Sequence, residues 1–176
     1  MGQCKDLSYA LVLDGASNKG LIAYTDSDYA ANPIKRQSMT GFLFKLANSI
    51  ISWQSRVQKT ITLSATEAEY MALSDCTRQA VWIQNIFSEL GLPVKPTQTC
   101  TDNEGGIFIA SNPIQERRTK HIDVRFHYVH DLIEQKRVEI VWVPTDDNIA
   151  DMFTKNLGHI KFEKFRSMLG CEFYSS

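Results

Sequence analysis

The sequence is poor in several features that would settle its class at once. It has 4 cysteines, at Cys4, Cys76, Cys100 and Cys171, too scattered to form a C-x-x-C pair. That spacing argues against a disulfide framework or structural zinc and suits reduced thiols in a cytosolic or nuclear setting. No apolar run approaches the length needed to cross a bilayer, and the first residues lack the basic-then-apolar order of a secretion signal. There is no Gly-rich phosphate loop and no G-x-S-x-G elbow. Charge of one sign is missing too: 19 Lys+Arg against 20 Asp+Glu leave a net charge of −1. The bulk basic charge of a simple nucleic-acid binder is therefore absent, and local distribution must decide.

What remains is an ordinary globular composition. A chain of 176 residues with 43% hydrophobic and 22% charged residues can form one domain with a substantial core. Residues 1–19 read as a lead-in with a short alternating piece at 9–13. Strand spacing follows in LIAYTD, TGFLFKL and SIISWQS, three strands joined as antiparallel hairpins. LSATEAEYMALSDCTRQAVWIQNIFSEL has helical spacing, stopped by Gly91 and Pro93 and expected to bend near 75–79. A β-prone piece at 97–101 precedes Asp102, a basic stretch ERRTKHID leads into a helix over 124–135, and VEIVWVP reads as a strand buried on both faces. A final helix is expected after Asp147. The order implies an α/β fold with one mixed sheet and helices packed on its faces.

Four carboxylates fall where elements end or pack inward: Asp26, Glu69, Asp102 and Asp151. Two glutamates compete on the first helix, pointing about 200° apart around its axis. Ser64-Ala65-Thr66-Glu67 fits a capping box, which gives Glu67 a structural task. Glu69 instead shares its face with Ala65, Ala72, Leu73, Cys76 and Ala80. A carboxylate aimed at a core needs cationic compensation, from a basic side chain or from a metal. Asp102 closes a strand expected to run parallel to the one carrying Asp26, so both sit at the carboxyl ends that form ligand crevices in α/β sheets. Several carboxylates crowded together repel unless divalent cations lie among them, and hard oxygen donors select Mg²⁺ or Mn²⁺. Two such ions suit in-line displacement at phosphorus.

Competing motifs are weaker. Asp26-Ser27-Asp28 opens like a calcium loop, but Ala31 and Gln37 occupy the positions that need Gly and Glu. His127 and His130 are a helical turn apart, with no Cys or acidic partner expected at matching spacing. Basic residues cluster at Lys35-Arg36, at Arg56 and Lys59 beside Trp53, and at Arg117-Arg118 with Lys120-His121. From these, Arg36, Arg56, Lys59, Arg118, Lys120 and His121 are candidates for phosphate contacts that position a nucleic acid.

An ordered series of motifs resembles the ribonuclease H domain of copia-type (Pseudoviridae) LTR retrotransposon polyproteins. It comprises YTDSDYA at 24–30, RQSMTGF at 36–42, SWQSR at 52–56, LSATEAEYMAL at 63–73, TDN at 101–103, TKHID at 119–123 and ADMFTK at 150–155. The resemblance places the domain at 20–157, with 158–176 as an amphipathic tail. It implies a ribonuclease H-like fold: a five-stranded mixed sheet, the first three strands antiparallel, with helices on both faces. Glu69 fits the family's E-[apolar]-x-A pattern, and Asp26, Asp102 and Asp151 complete its D-E-D-D set for two Mg²⁺ ions, with Mn²⁺ as a substitute. The implied reaction is endonucleolytic cutting of the RNA strand of RNA/DNA hybrids during reverse transcription, beside an adjoining reverse-transcriptase domain, in a cytoplasmic virus-like particle or the nucleus. Two family features are missing: the histidine in the loop before the last Asp, here only 145–150 with Asp146 and Asp147 expected as helix caps, and a basic handle helix. The alternative is a non-catalytic scaffold that keeps the fold within the polyprotein. An integrase-type arrangement would have no need of Glu69.

Overall fold

The computed structural model describes residues 9–13, 20–111 and 120–173. After a short strand β1 (Tyr9–Leu11) the chain forms β2 (Ile22–Asp28), β3 (Met39–Leu46) and β4 (Ser49–Val57). Helix α1 (Ala65–Glu89), β5 (Thr97–Thr101), α2 (Glu104–Ser111), α3 (Lys120–Glu134) and β6 (Val138–Trp142) follow. Two 3₁₀ turns, Thr145–Asp147 and Ile149–Phe153, lead to α4 (His159–Met168) and β7 (Cys171–Phe173). The main sheet has the order β4-β3-β2-β5-β6. Its first three strands are antiparallel, while β2–β5 and β5–β6 are parallel. This is the five-stranded mixed sheet expected from the sequence.

Alternation along the strands separates two cores. Leu21, Ala23, Phe42 and Phe44 face one side, where Cys76, Ala80 and Ile83 of α1 and Leu132 of α3 cover them. Leu43 and Ile50 face the other, against Ile149, Phe165 and Leu169, with Tyr24, Met152 and Phe153 at the margin. Helices therefore lie on both faces.

Helix α1 begins as its sequence predicts. The Ser64 hydroxyl accepts from the Glu67 amide at 3.1 Å, and the Glu67 carboxylate accepts from the Leu63 amide at 2.7 Å. It ends at Gly91, whose φ of +69° suits a residue without Cβ, with the Leu92 amide donating back to the Phe87 carbonyl. Between these ends the helix is unbroken, and no Gly or Pro interrupts it. Gln84, buried on its inner face, donates to the Thr97 hydroxyl and the Arg137 carbonyl, fastening α1 to the lower ends of β5 and β6.

Other expectations are corrected. Helix α3 starts at Lys120 rather than 124, so the basic TKHID stretch runs into the helix. β6 is an edge strand, and its Trp142 is half exposed, because only β5 pairs with it. Helix α2 has no counterpart in the expected order. The segments read as lead-in and tail meet, since β1 pairs antiparallel with β7. The tail also packs inward: Phe165 of α4 is fully buried.

Candidate metal and nuclease site

Asp26 lies near the end of β2, Asp102 follows β5 directly, and Asp151 sits in the second 3₁₀ turn. That turn replaces the helix expected to carry Asp151. Its tight winding turns the side chain toward the strand ends, and single carboxylate oxygens of Asp26, Asp102 and Asp151 come within 4.8 Å of one another. Three acids separated by up to 125 positions thus converge at one end of the sheet.

Glu69 approaches from α1. It lies close enough to Asp26 and Asp102 for their charges to act on its carboxyl, beside Ser27, and its Oε2 is buried without a hydrogen-bond partner. Among the described residues no lysine or arginine forms an ion pair with it, so the salt-bridge explanation for an inward glutamate fails. Burial, then repulsion from Asp26 and Asp102, pushes the Glu69 carboxyl up to about 8, against the pull of Ser27. Burial likewise raises Asp26 to about 7; Lys155 and Thr154 pull it down, while Asp151 and Asp102 push it further up.

The turn after Asp151 is made possible by Gly41, which stands opposite Asp26 in the β2–β3 register. A Cβ on Gly41 would lie 2.6 Å from Thr154 Cγ2 and 2.9 Å from Phe153 Cβ. Only glycine lets the turn press this closely onto the sheet. Asn148 caps the turn by accepting from the Ala150 amide at 3.3 Å, and its Nδ2 donates to the Thr25 carbonyl at 3.0 Å and to Asp102 Oδ1 at 3.1 Å. One buried side chain therefore links β2, Asp102 and the turn. The capping role expected of Asp146 and Asp147 falls to Asn148 instead. Those two aspartates pair with α4, Asp147 with Lys164 at 2.9 Å and Asp146 with Lys161 at 3.7 Å.

Two ammonium groups reach the acids. Lys155 Nζ bridges Asp26 Oδ1 at 3.2 Å and Asp151 Oδ1 at 3.0 Å, and Lys161 of α4 donates to Asp151 Oδ2 at 2.7 Å. Burial alone would lower the Lys155 ammonium; Asp26 and Asp151 more than offset it and hold its pKa above the ordinary value. The Thr154 hydroxyl donates to Asp26 Oδ2. None of Asn148, Thr154, Lys155 and Lys161 stood out in the sequence, although Thr154 and Lys155 lie within ADMFTK.

The donor set fits a divalent cation: hard oxygens from three converging aspartates, an unpartnered glutamate oxygen nearby, and carboxyls whose pKa is raised first by burial and then by their acidic neighbours. Asp26, Asp102 and Asp151 could hold such an ion directly, with Glu69 beside it. The two lysines now supply part of the positive charge, and a metal would compete with them.

The basic candidates divide. Arg36 is exposed in the β2–β3 connection and forms no ion pair among the described residues. Arg56 and Lys59 line one cavity, with Arg56 bound to Asp75. Arg118 and the side chains of Lys120 and His121 lie outside the described residues. His127 and His130 pack against the Phe126 ring. Acidic partners do exist for His130, contrary to expectation: Asp131 and Glu134 bring ligand atoms within 4.8 Å, on an exposed helix surface.

No protein-family model matches the chain. Its sequence is 37% identical over 156 residues to the retrovirus-related Pol polyprotein from transposon TNT 1-94 of Nicotiana tabacum, covering 89% of this chain and 12% of that protein. It is 31% identical over 164 residues to the polyprotein from transposon RE1 of Arabidopsis thaliana, covering 93% and 11%. The chain thus spans about a tenth of these curated relatives. Among solved structures, the LC11 ribonuclease H1 in complex with an RNA/DNA hybrid superposes with a TM-score of 0.55 at 17% identity, covering 76% of this chain and 93% of that one. The foamy viral protease-reverse transcriptase in complex with an RNA/DNA hybrid gives 0.54 at 17%, covering 88% and 22%. Likeness at such identity establishes the architecture, which is the one expected from the motifs.

Proposed function

Starting from a ribonuclease H-like chain related to segments of copia-type Pol polyproteins, we propose that it hydrolyses the RNA strand of RNA/DNA hybrids by a two-metal endonucleolytic reaction. The observation that carries this reading is the convergence of Asp26, Asp102 and Asp151 within 4.8 Å, with the unpartnered Glu69 oxygen beside them. Bound Mg²⁺ or Mn²⁺ would supply Lewis acidity at the scissile phosphate and a water acidic enough to attack it. The chain's own part is to hold oxygens in place. Asn148 fixes Asp102, the turn packed on Gly41 fixes Asp151, and the antiparallel β2–β3 pair fixes Asp26. Lys155 and Lys161 hold Asp26 and Asp151 by their ammonium groups, and a bound cation would compete with them for the same oxygens. Recognition of the hybrid would come through duplex shape and 2′-hydroxyl contacts, aided by the adjoining reverse-transcriptase part of a polyprotein in a virus-like particle.

The test is cleavage of an end-labelled hybrid with Mg²⁺ or Mn²⁺. The wild-type chain is expected to cut and Asp102→Asn to be silent, with its metal-free melting temperature unchanged or higher because one crowded charge is gone. Cutting by Asp102→Asn at the wild-type rate would refute the reading.

A second reading has one observation in its favour: the Lys155 and Lys161 ammonium groups already stand against Asp26 and Asp151. In a non-catalytic scaffold they would stay there permanently. Titration with Mg²⁺ separates the two, since a nuclease site shifts the amide resonances of residues 26, 102 and 151 and a scaffold leaves them unmoved.

A further inference from the structure

Asp75, six residues beyond Glu69 on α1, is buried, and three arginines from three elements converge on it. Arg56 of β4 donates to Oδ2, while Arg78 of α1 at 3.1 Å and Arg125 of α3 at 2.8 Å donate to Oδ1. One carboxylate would need one guanidinium for balance. Three leave an excess of two positive charges, and Lys59, on the same wall, adds a third. Each guanidinium commits a single nitrogen to Asp75, and its other N–H groups have no partner among the described residues. Arg56, Arg78 and Arg125 keep 36%, 62% and 28% of their side-chain surface exposed, so those donors are reachable. They line an open cavity of about 230 Å³ with Gln58 and Lys59. Burying Asp75 to hold a single guanidinium would be a stability device of ordinary kind. Gathering three around it instead builds a preoriented fork of unsatisfied donors, the arrangement that binds phosphate oxygens in pairs.

Its place relative to the acids is fixed by register. Ser27, beside Glu69, pairs with Thr40, and Thr40 pairs with Arg56, so the three share one row of the sheet and one face. Two strand spacings put Arg56 about 10 Å from Ser27, roughly three base steps of a duplex at about 3.4 Å each. We propose that the Arg56–Arg78–Arg125 cavity binds a backbone phosphate of the hybrid a few nucleotides from the cutting position, with Asp75 as the residue that orients the three guanidiniums. This rests on the hybrid reading above and adds to it a subsite that positions the duplex.

The experiment measures binding of a fluorescent hybrid by anisotropy in EDTA, where nothing is cut, between 50 and 200 mM salt, a range over which phosphate contacts are strongly screened. Arg78→Met is the first variant, because this side chain is mostly exposed and its loss leaves the fold intact; a melting curve verifies that. Binding is expected to weaken about 5- to 10-fold, and the slope of log affinity against log salt to shrink by about 0.9, the signature of one lost phosphate contact. Arg78→Lys should restore the slope but only part of the affinity, since an ammonium keeps the charge and loses the fork. An unchanged slope and affinity in Arg78→Met and in Arg56→Met/Arg78→Met overturns the proposal, even if melting temperatures fall, because a structural network would show only the latter. A wild-type chain that cuts hybrids while the variants keep its salt slope refutes the subsite alone. A wild-type chain that binds through the arginines but never cuts refutes the nuclease reading and leaves the subsite standing. A wild-type chain that neither binds nor cuts overturns both.

Discussion

Asp26 and Glu69 hold their protons in a range where carboxylates are ordinarily ionised, at about 7 and about 8. Both folded values lie above those of the unfolded chain, so the folded state binds more protons between roughly pH 4 and pH 8. Metal-free stability is therefore greatest below that window and falls as pH rises through it, by a few kcal/mol in total for two buried, interacting groups. Melting curves in EDTA from pH 5 to pH 8.5 should show a falling transition temperature, flattened by Glu69→Gln. Saturating Mg²⁺ should reverse the trend, because the cation prefers the ionised carboxyls. A flat metal-free profile would mean that the two carboxyls are not crowded as described. The Glu69 side chain was identifiable from its helical face; the lysines facing Asp26 and Asp151 were not, since nothing in spacing says that an ammonium 10 residues along the chain returns to Asp151. Asp75 is equally silent, one acid among the helix's charges until Arg56 of β4 and Arg125 of α3 join its own helix's Arg78 around it.

At the level of elements, legibility followed periodicity. The hairpin strands alternate clearly and the long helix carries both its cap and its stop, so these were readable. Helix α2 was not, because Gly105 and Gly106 weaken any helical signal. Gly105 is there for contact: a Cβ would come within 3.2 Å of Thr66 at the start of α1. The 3₁₀ turn carrying Asp151 is too short to show a period at all. The apolar residues of β6 predict a doubly buried strand, yet position in the sheet, which no local window reports, leaves it at the edge. Gly41 shows the same dependence on tertiary contact. Gly41→Ala should destabilise the fold by about 1–3 kcal/mol, the usual cost of overpacking, and weaken Mg²⁺ binding as the Thr154 and Asp151 backbone is pushed off the sheet. Denaturant unfolding and a Mg²⁺ titration on the same variant check both. Lost stability with undiminished Mg²⁺ affinity would show that the turn can move without disturbing Asp151.

Over the whole molecule, a five-stranded mixed sheet with its first three strands antiparallel is legible from the order of motifs, as is the approach of Asp26, Asp102 and Asp151, whereas the pairing of β1 with β7 is not. Strands of three residues have little pattern, and pairing across the full length of a chain leaves no local trace. No helix among the described residues is long and apolar enough to cross a membrane. The C-terminal segment instead serves the interior. Phe165 fills the second core, Lys45 donates to the Met168 carbonyl at 2.7 Å, and Lys161 reaches Asp151, so α4 ties the sheet to the turn.

The β1–β7 ladder places Tyr9 opposite Phe173 and Leu11 opposite Cys171. Chain attached before the one and after the other departs from the same spot, and tension between such flanks loads the ladder one rung at a time. In an optical trap, pulling through handles at the two ends should peel this ribbon at a few piconewtons' lower force than the main sheet, as a separate early step. That first yield would slacken α4 and with it the Lys161 grip on Asp151, so the Asp151 oxygen loses its ammonium partner before the main sheet opens.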